Sequence, residues 1–232
     1  MKSPKENSFP DLVSYLVTSK CVANCDICIS GDNSTDLNTE MSKKVISEIS
    51  KPEVKIISFA GREPFCREDI FELIDYAKKL GKYVNIENTG ILLEDMHFEK
   101  LSNLKTDNLS ISVDSLSKDL CEYMGRPFVS KSHLEYIINS CKKYKIGLKL
   151  NSVVSKITKE EINRIGLFLK DNPPRIWKLR QFTPRSYGYN VRNKYDISEE
   201  EFIEIVNETK RKFSNIKIEG KTSVQQSGTC FM

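Results

Sequence analysis

Short apolar runs alternate with amphipathic segments along most of the chain. Runs of strand length lie at 12–17, 54–59, 83–87, 109–113, 147–153 and 176–182. The segments between them carry apolar residues at helical spacing, as in 68–80, where Ile70, Ile74 and Ala77 share one stripe. Strands that alternate with helices predict βαβ units and a mostly parallel sheet. The run 216–218 is a candidate for one further short strand.

Polar side chains recur on one face of several predicted strands. Ser110 and Ser112 alternate with Leu109 and Ile111, and Lys178 and Arg180 share one face of 176–182. A closed eight-stranded barrel would be filled mainly by branched apolar residues. The pattern therefore predicts an α/β fold of the partial (β/α)6 TIM-like barrel type, with helices outside and a polar interior. The alternative is a sheet of antiparallel character with one face in solvent.

Residues of unusual chemistry follow the predicted strands. They are a group of cysteines after the first strand, then Gly61-Arg62-Glu63-Pro64, Asn88-Thr89, Asp114-Ser115 and Thr183-Pro184-Arg185. The carboxyl ends of parallel strands lie at one edge of a sheet, and α/β enzymes place their sites there. The order of the chain thus predicts one site that is shared by these segments.

Composition limits the class of protein. The chain has 232 residues, of which 39% are hydrophobic and 29% charged, which is typical of a globular protein. We expect one domain over 1–232, with a core at about 12–213 and a short extension at 214–232. No apolar run approaches the roughly 18 residues of a membrane span, and no secretory signal precedes the first strand. A cytoplasmic location is therefore expected. The net charge of +4 does not indicate nucleic-acid binding.

Three cysteines, Cys21, Cys25 and Cys28, lie within eight residues. In a reducing compartment, clustered cysteines are more often metal ligands than disulfides. Three thiolates at this spacing can each bind a different iron of an iron–sulfur cluster. A Cys₃His zinc site and a set of free thiols are the alternatives. The other cysteines, Cys66, Cys121, Cys141 and Cys230, are scattered singly, so a second cluster is not expected.

Two motifs together resemble those of the radical S-adenosylmethionine enzymes. The first is the Cys-x₃-Cys-x₂-Cys loop, and the second is the turn 58–64, which is similar to the family's Gly-Gly-Glu-Pro turn with Arg62 at the second glycine. The segments 110–115 and 149–153 also resemble the family's fourth and fifth strand ends. The resemblance implies a 4Fe–4S cluster on Cys21, Cys25 and Cys28, S-adenosylmethionine as cosubstrate, and a 5′-deoxyadenosyl radical that abstracts hydrogen from a substrate. It also implies an external one-electron reductant of the flavodoxin or ferredoxin type.

The same resemblance implies contacts with S-adenosylmethionine. Ile27 would pack on the adenine, although the family more often has an aromatic residue at that position. The turn of Gly61, Arg62, Glu63 and Pro64 would meet the methionine ammonium, and Asn88, Ser112 and Asn151 would contact the ribose or the carboxylate. Because Arg62 has a Cβ where the family has glycine, its side chain must turn aside, bind an anionic group or form a surface salt bridge.

The substrate is expected to be a small molecule. Candidate polar contacts are Glu87, Lys149, Lys178, Arg180 and Arg185, which suit an anionic group and an amino-like donor. Residues 112–202 resemble the viperin-type and molybdopterin-type branches, which act on nucleotides, and the short chain resembles small enzymes of 7-deazaguanine metabolism. A lyase that acts on a modified nucleobase of the queuine type, in queuosine salvage, is the first prediction. A viperin-like nucleotide dehydratase and an iron–sulfur electron carrier are the alternatives.

Overall fold

The computed structural model describes residues 10–30 and 35–226. One sheet of seven parallel strands runs through them, and each strand pairs with the next one along the chain. The strands are β1 (Leu12–Leu16), β2 (Ile56–Ala60), β3 (Tyr83–Asn88), β4 (Asn108–Ser112), β5 (Gly147–Val154), β6 (Ile176–Gln181) and β7 (Ile218–Lys221). The sheet forms a half-barrel with helices around it. The predicted α/β fold of the partial TIM-like barrel type is confirmed.

Helices connect the strands and cover the outer face of the sheet. They are α1 (Thr39–Ile49), α2 (Ile70–Lys79), α3 (Asp95–Asn103), α4 (Lys118–Tyr123), α5 (Lys131–Lys143), α6 (Lys159–Leu169), α7 (Arg192–Tyr195), α8 (Glu199–Lys212) and α9 (Ser223–Gln226). Short 3₁₀ turns lie at Pro64–Cys66 and Ser186–Tyr189. No helix within the described part of the chain combines the length and the apolar character that a membrane crossing requires.

The alternation within each strand separates the core from the cavity. In β4, Leu109 and Ile111 are fully buried and belong to the main hydrophobic core, which Leu73 of α2 and Ile137 of α5 also join. Burial of each such side chain is worth about 1.5–3 kcal/mol. The intervening Ser110 lines the cavity inside the half-barrel. One face of the sheet therefore holds the helices, while the other is available for a ligand.

The structure corrects the predicted boundaries and adds elements. The strand predicted at 216–218 is β7, which lies at Ile218–Lys221 and pairs with β6. This seventh strand lies in the range that was predicted to be an extension, and its polar residues with Gly220 explain why its end at Lys221 was not predicted. Helix α5 begins at Lys131, because the Ser130 hydroxyl caps it by accepting from the His133 N–H at 3.2 Å. The short helices α4, α7 and α9 were not predicted.

Two features of the sequence fall partly or wholly outside the described residues. These are Cys230 and the run of turn-forming residues at 31–36, of which residues 31–34 are not described. The end of that loop is described. Asp36 accepts hydrogen bonds from the Thr18 hydroxyl at 2.6 Å and from the Ser19 N–H at 2.7 Å. Asp36 thus fixes the chain where β1 leads into the cysteine segment.

Candidate functional site

A cavity of about 470 Å³ occupies the inside of the half-barrel. Side chains from all seven strands or from the segments that follow them contribute to its wall. Of the residues predicted from the sequence, the wall includes Cys21, Cys25, Ile27, Cys28, Gly61, Arg62, Glu87, Asn88, Ser112, Lys149, Asn151, Lys178, Arg180 and Arg185. The structure therefore brings the three thiols and the predicted polar groups to one cavity.

The cysteine segment, residues 19–30, is called the cluster loop below. Its end is tightened by a turn in which the Cys28 N–H donates to the Cys25 carbonyl at 3.2 Å. Cys21 accepts a hydrogen bond at its Sγ from the Ala23 N–H at 3.4 Å. Burial raises the pKa of the Cys21 and Cys25 thiols.

A segment that follows α4 supports the cluster loop from the side. The Asn24 N–H donates to the Gly125 carbonyl at 3.2 Å, and the Asp26 N–H donates to the Met124 carbonyl at 3.0 Å. Gly125 has φ of +64°, and a Cβ on it would lie 2.1 Å from the Asn24 carbonyl oxygen. Only glycine fits at this position, because a side chain would meet backbone and would strain the left-handed conformation.

A small hydrophobic cluster, separate from the main core, lies beneath the cluster loop. Ile27 packs there with Met124, Phe182 and Tyr195, all of them buried. The Tyr195 hydroxyl donates to Asp26 at 2.9 Å, and Lys194 Nζ lies 2.8 Å from the same carboxylate oxygen. Ile27 also lines the cavity, so its predicted contact with adenine remains a prediction that the location permits.

Arg126 connects the cluster loop to β4 and β5. Its guanidinium forms an ion pair with Asp114 and donates to Cys25 Sγ at 3.7 Å. The second oxygen of Asp114 accepts from the Val153 N–H at 2.7 Å. Burial works against the charge on Arg126, but Asp114 and Cys25 outweigh it and raise the pKa of the guanidinium. The sequence interpretation did not select Arg126 as a site residue. The sequence feature that could have indicated Arg126 is the Gly125-Arg126 pair, in which an arginine directly follows a glycine after α4.

The turn after β2 is shaped by Gly61. This residue has φ of +123°, and a Cβ on it would lie 2.7 Å from the Thr18 carbonyl oxygen. Arg62 turns its side chain along the cluster loop, where Nη2 approaches the Ala23 carbonyl at 3.5 Å. The buried Nε of Arg62 has no hydrogen-bond partner among the residues described. Instead of the surface salt bridge considered above, the structure thus places Arg62 on the cavity wall.

Glu63 is fully buried and holds two strand ends together. Its Oε2 accepts from the Thr89 N–H at 2.8 Å and from the Thr89 hydroxyl at 2.6 Å, and its Oε1 accepts from the Phe65 N–H at 3.3 Å. Burial raises the pKa of this carboxyl, although the three hydrogen bonds oppose the shift. Neither Glu63 nor Pro64 is part of the cavity wall. Of the four turn residues predicted to contact S-adenosylmethionine, Gly61 and Arg62 line the cavity, whereas Glu63 and Pro64 do not.

The polar residues predicted to contact S-adenosylmethionine differ in whether the protein satisfies their hydrogen bonds. Asn151 Oδ1 is buried without a hydrogen bond in the described part of the chain, and Ser112 lies next to Asn151 in the register of β4 and β5. Asn88 is different, because its Oδ1 accepts from the Gly90 N–H at 2.8 Å and its Nδ2 donates to the Ile86 carbonyl at 3.3 Å. A buried polar atom without a partner is costly unless a ligand or water satisfies it. Asn151 and Ser112 are thus the better candidates for ligand contacts.

The wall formed by β5, β6 and β7 carries positive charge. Lys149, Lys178, Arg180 and Lys221 all line the cavity, and within residues 10–30 and 35–226 none of them lies within 4.0 Å of a carboxylate oxygen. Burial, and then the neighbouring Lys178, lowers the pKa of Lys149. Burial, and then Arg180, lowers the pKa of Lys178. This arrangement suits an anionic ligand.

The donor set fits an iron–sulfur cluster better than a zinc ion. His97 packs against Phe65 and Phe71, and His133 Nε2 lies 3.0 Å from the Gly90 carbonyl oxygen, so neither histidine lines the cavity. Among the described residues, no three Cys, His, Asp or Glu side chains converge on one ion position. A cluster that binds each thiolate at a different metal atom does not require such convergence.

The other described cysteines, Cys66, Cys121 and Cys141, differ in burial and in their distance from the site. Cys121 and Cys141 are buried, and burial raises the pKa of these thiols to about 11 and about 12. Cys66 is half-buried. Burial raises its pKa as well. Cys121 and Cys141 behave as core thiols, while Cys66 lies beside the site.

The fold and the site define an α/β half-barrel protein with three cysteines suited to an iron–sulfur cluster. Residues 15–169 match the family model described as the Radical SAM superfamily. The chain therefore belongs to the radical SAM superfamily, whose members are enzymes. This membership confirms the family that the cysteine motif and the turn at 58–64 predict, and the family implies an iron–sulfur cluster and S-adenosylmethionine.

Curated relatives of the chain carry different activities. The S-adenosylmethionine-dependent nucleotide dehydratase RSAD2 of Oncorhynchus mykiss is 30% identical over 185 residues, which are 74% of this chain and 51% of the relative. The AdoMet-dependent heme synthase of Methanosarcina barkeri is 29% identical over 160 residues, which are 67% of this chain and 46% of the relative. The chain thus spans about half the length of these relatives.

Solved structures share the fold. SuiB of Streptococcus suis bound to S-adenosylmethionine superposes with a TM-score of 0.76 at 17% identity, over 92% of this chain and 51% of that chain. Coproporphyrinogen III oxidase (HemN) of Escherichia coli gives a TM-score of 0.65 at 14% identity, over 89% of this chain and 52% of that chain. At these identities the likeness is one of fold alone.

Proposed function

We propose that the protein is a radical S-adenosylmethionine enzyme that acts on a phosphate-bearing small molecule of the nucleotide type. The observation that carries the proposal is the group of cavity cations, Lys149, Lys178, Arg180 and Lys221, which have no carboxylate partner in the described part of the chain. Lys149, Lys178 and Arg180 are half-buried and Lys221 is exposed, and cations that are partly withdrawn from water without a direct ion pair gain from an anionic ligand. Phosphate oxygens are well suited to such a group of Lys and Arg side chains.

The three thiols would hold the iron–sulfur cluster of the proposed enzyme. Cys21, Cys25 and Cys28 would hold a 4Fe–4S cluster. When bound, the cluster and S-adenosylmethionine together supply a 5′-deoxyadenosyl radical for hydrogen abstraction. An external one-electron reductant of the flavodoxin or ferredoxin type belongs to the same proposal, as does a cytoplasmic location, which the free cysteines of the described residues favour.

The protein side chains would orient S-adenosylmethionine. The guanidinium of Arg126 and the hydroxyl of Ser112 would bind its carboxylate, and the unpartnered Asn151 Oδ1 would accept from a ribose hydroxyl or from the ammonium. The turn at Gly61 and Arg62 would offer backbone carbonyls to the ammonium. These contacts would fix the cosubstrate between the cluster loop and the cationic wall. The phosphate-bearing substrate would bind at the cationic wall itself.

The comparisons support the nucleotide alternative over the first prediction from the sequence. A curated relative that aligns with 74% of this chain is named a nucleotide dehydratase, and the cationic wall suits nucleotide phosphates. The modified-base lyase of the queuine type has no support from the relatives described above. An electron carrier would need only the three thiols, whereas this cavity of about 470 Å³ extends to Lys149 and Lys178. The nucleotide-type substrate is therefore preferred to both.

The test is cofactor reconstitution followed by a substrate screen. Anaerobic reconstitution should give a brown protein with about four irons per chain, and Cys25→Ala should lose them. With reductant and S-adenosylmethionine, nucleoside triphosphates should increase 5′-deoxyadenosine formation far more than the matching nucleosides. Lys149→Ala should remove that difference while leaving the iron content unchanged. Equal stimulation by nucleosides and nucleotides, or by a peptide alone, would contradict the proposal.

A further inference from the structure

Glu87 differs from the other carboxylates of the site. The acidic side chains that line the cavity are Glu87 and Asp114. Both oxygens of Asp114 are engaged, by the Val153 N–H and by Arg126. Glu87 accepts one hydrogen bond, from the Ser58 hydroxyl to Oε1 at 3.0 Å, and its Oε2 has no partner within the described residues. Glu87 thus presents an acceptor to the cavity.

A chain of buried hydrogen bonds holds Glu87 in place. The Ser110 hydroxyl donates to Asn85 Oδ1 at 2.8 Å, Asn85 Nδ2 donates to the Ser58 hydroxyl at 2.7 Å, and Ser58 donates to Glu87. All three supporting residues are at most 3% exposed and lie on β4, β3 and β2. Since Ser58 accepts from Asn85, its only hydroxyl hydrogen points to Glu87, so the direction of the whole chain is fixed.

Fully structural carboxylates in this protein look different. Glu63 has donors on both oxygens, and Glu161 accepts from Ser115 and from the Leu116 N–H on Oε2 and from Arg164 on Oε1. Glu87 has a donor on one oxygen only, although three buried side chains are arranged to hold it. A supporting network that orients a half-satisfied group is the arrangement expected of a ligand contact. The open oxygen of Glu87, which lines the cavity, is therefore available to accept a hydrogen bond from a ligand.

We propose that Glu87 reads an amino group on the base of the substrate, so that the substrate is an amino-substituted nucleotide. This inference rests on the proposed function and adds the class of base to it. A carboxylate attracts an exocyclic amino group, whereas it repels a carbonyl oxygen at the same position. Glu87 would thus select bases that carry an amino group over bases that carry a carbonyl or a hydrogen there.

The location of Glu87 relative to the cations fits one nucleotide. Glu87 pairs in register with Ser110, and Ser110 pairs with Lys149, so the three residues form one row across β3, β4 and β5. With strands about 4.8 Å apart, Glu87 and Lys149 are separated by about 10 Å along that row. Among the described residues, Lys149 forms no ion pair with Glu87, so both groups are available to a ligand. A nucleotide would place its phosphates at Lys149 and Lys178 and its base at Glu87.

The substitution Glu87→Gln should replace the hydrogen-bond acceptor that faces the cavity by a hydrogen-bond donor. With Ser58 donating to the glutamine as it does to Glu87, the carbonyl oxygen of the new side chain would face Ser58 and its amide nitrogen would face the cavity. The open position would then donate where it had accepted. Preference for an amino group should turn into preference for a carbonyl group, with almost no change in side-chain volume.

The experiment is a binding titration with matched nucleotide pairs. Cluster-loaded protein with S-adenosylmethionine, without reductant, is titrated by calorimetry with cytidine and uridine 5′-triphosphates, and with guanosine and inosine 5′-triphosphates. We expect the wild type to bind at least one amino-bearing member about tenfold more tightly than its partner. Glu87→Gln should reverse that preference. Ser58→Ala, which releases Glu87, should reduce it, and Glu204→Gln on the exposed face of α8 should leave it unchanged.

The outcomes separate this inference from the proposed function. If the nucleotides bind through Lys149 but the members of each pair bind equally in the wild type, the amino-group inference is wrong and the proposed function stands. Equal weakening of both members of a pair by Glu87→Gln would place Glu87 at the shared ribose and would also overturn it. If no nucleotide binds the wild type, the proposed function fails and this inference with it.

Discussion

Arg126 Nη1 lies 3.7 Å from Cys25 Sγ, although the two residues are 101 positions apart in the chain. Asp114, whose side chain is 1% exposed, forms the ion pair that holds the guanidinium there. A charged group beside a cysteine that binds a metal can adjust the properties of the site, so with Cys25 as the proposed ligand the Asp114–Arg126 pair would have a chemical role in addition to its structural one.

Removal of one member of this pair should be more harmful than removal of both. Arg126→Ala leaves a buried carboxylate unpaired, so we expect a loss of about 3–5 kcal/mol in the free energy of unfolding. Arg126→Ala combined with Asp114→Ala should recover at least about 1 kcal/mol of that loss. Urea unfolding of the cluster-free protein, followed by the fluorescence of buried Trp177, measures both values. Additive losses would contradict the coupling.

Gly125 should be essential for the cluster loop. Gly125→Ala places a Cβ against the Asn24 carbonyl oxygen, so the segment must move and its hydrogen bonds with Asn24 and Asp26 should break. Gly81→Ala is the matched control, since Gly81 also has positive φ, of +75°, but nothing lies within 4 Å of its Cβ position. In both variants the free energy of unfolding should fall by about 1–2 kcal/mol, because alanine is strained in the left-handed backbone conformation. Only Gly125→Ala should lose iron after reconstitution.

The Tyr195 hydroxyl should slow the loss of the cluster. Tyr195→Phe removes the hydrogen bond to Asp26, and we expect a cost of about 0.5–1.5 kcal/mol together with faster bleaching of the reconstituted protein by a chelator. Tyr136→Phe is the control, because the Tyr136 hydroxyl donates to Asp95 at 2.7 Å far from the cluster loop. Equal bleaching rates in the two variants would show that Asp26 does not depend on Tyr195.

Glu63 should make a pH-dependent contribution to stability. Burial raises its pKa above the ordinary 4.5, so protonated Glu63 is favoured in the folded state. The corresponding stability is fully present below pH 4.5 and is lost as the pH rises through the raised pKa. Glu63→Gln cannot titrate, so the free-energy difference between wild type and variant should shift against the wild type from pH 4.5 to pH 8. Denaturant unfolding at the two pH values measures this difference, and a shift in favour of the wild type would contradict the sign.

The glutamine variant should also lose stability at every pH. The carboxylate of Glu63 accepts from three donors, and an amide nitrogen in place of one oxygen would face the N–H of Thr89 or of Phe65. We expect a penalty of about 1–3 kcal/mol for that unsatisfied donor. Glu204→Gln on the solvent side of α8 serves as the control without a buried partner.

Much of the fold and the outline of the site could be predicted from the sequence. The strand periodicity placed β4 and β5 within one residue of their observed ends, because alternation is dictated by a sheet with one buried face. The cysteines and the turn at Gly61 were correctly expected at the ends of β1 and β2, since parallel topology brings those ends to one edge.

The supports of the site could not be predicted in the same way. The contact of Gly125 and Arg126 with the cluster loop joins residues about a hundred positions apart, and no local pattern encodes it. The burial of Glu63 depends on Thr89, which follows the neighbouring strand. β7 was predicted only as a short run at 216–218, and its pairing with β6 shows that the strand extends to Lys221. Long-range hydrogen bonds of these kinds depend on the assembled sheet.

The cationic wall should give nucleotide binding an unusual pH dependence. Burial and the neighbouring Arg180 lower the pKa of Lys178, so it should lose its proton at a lower pH than an exposed lysine. An anionic ligand binds the charged form, so affinity for a nucleoside triphosphate should fall as the pH rises from 7 to 10. Lys178→Arg keeps its charge throughout this range and should shift the fall to higher pH. Calorimetric titrations at several pH values measure this affinity, with Lys210→Arg on the exposed face of α8 as the control. Identical pH profiles for wild type and Lys178→Arg would contradict a role for Lys178 in phosphate binding.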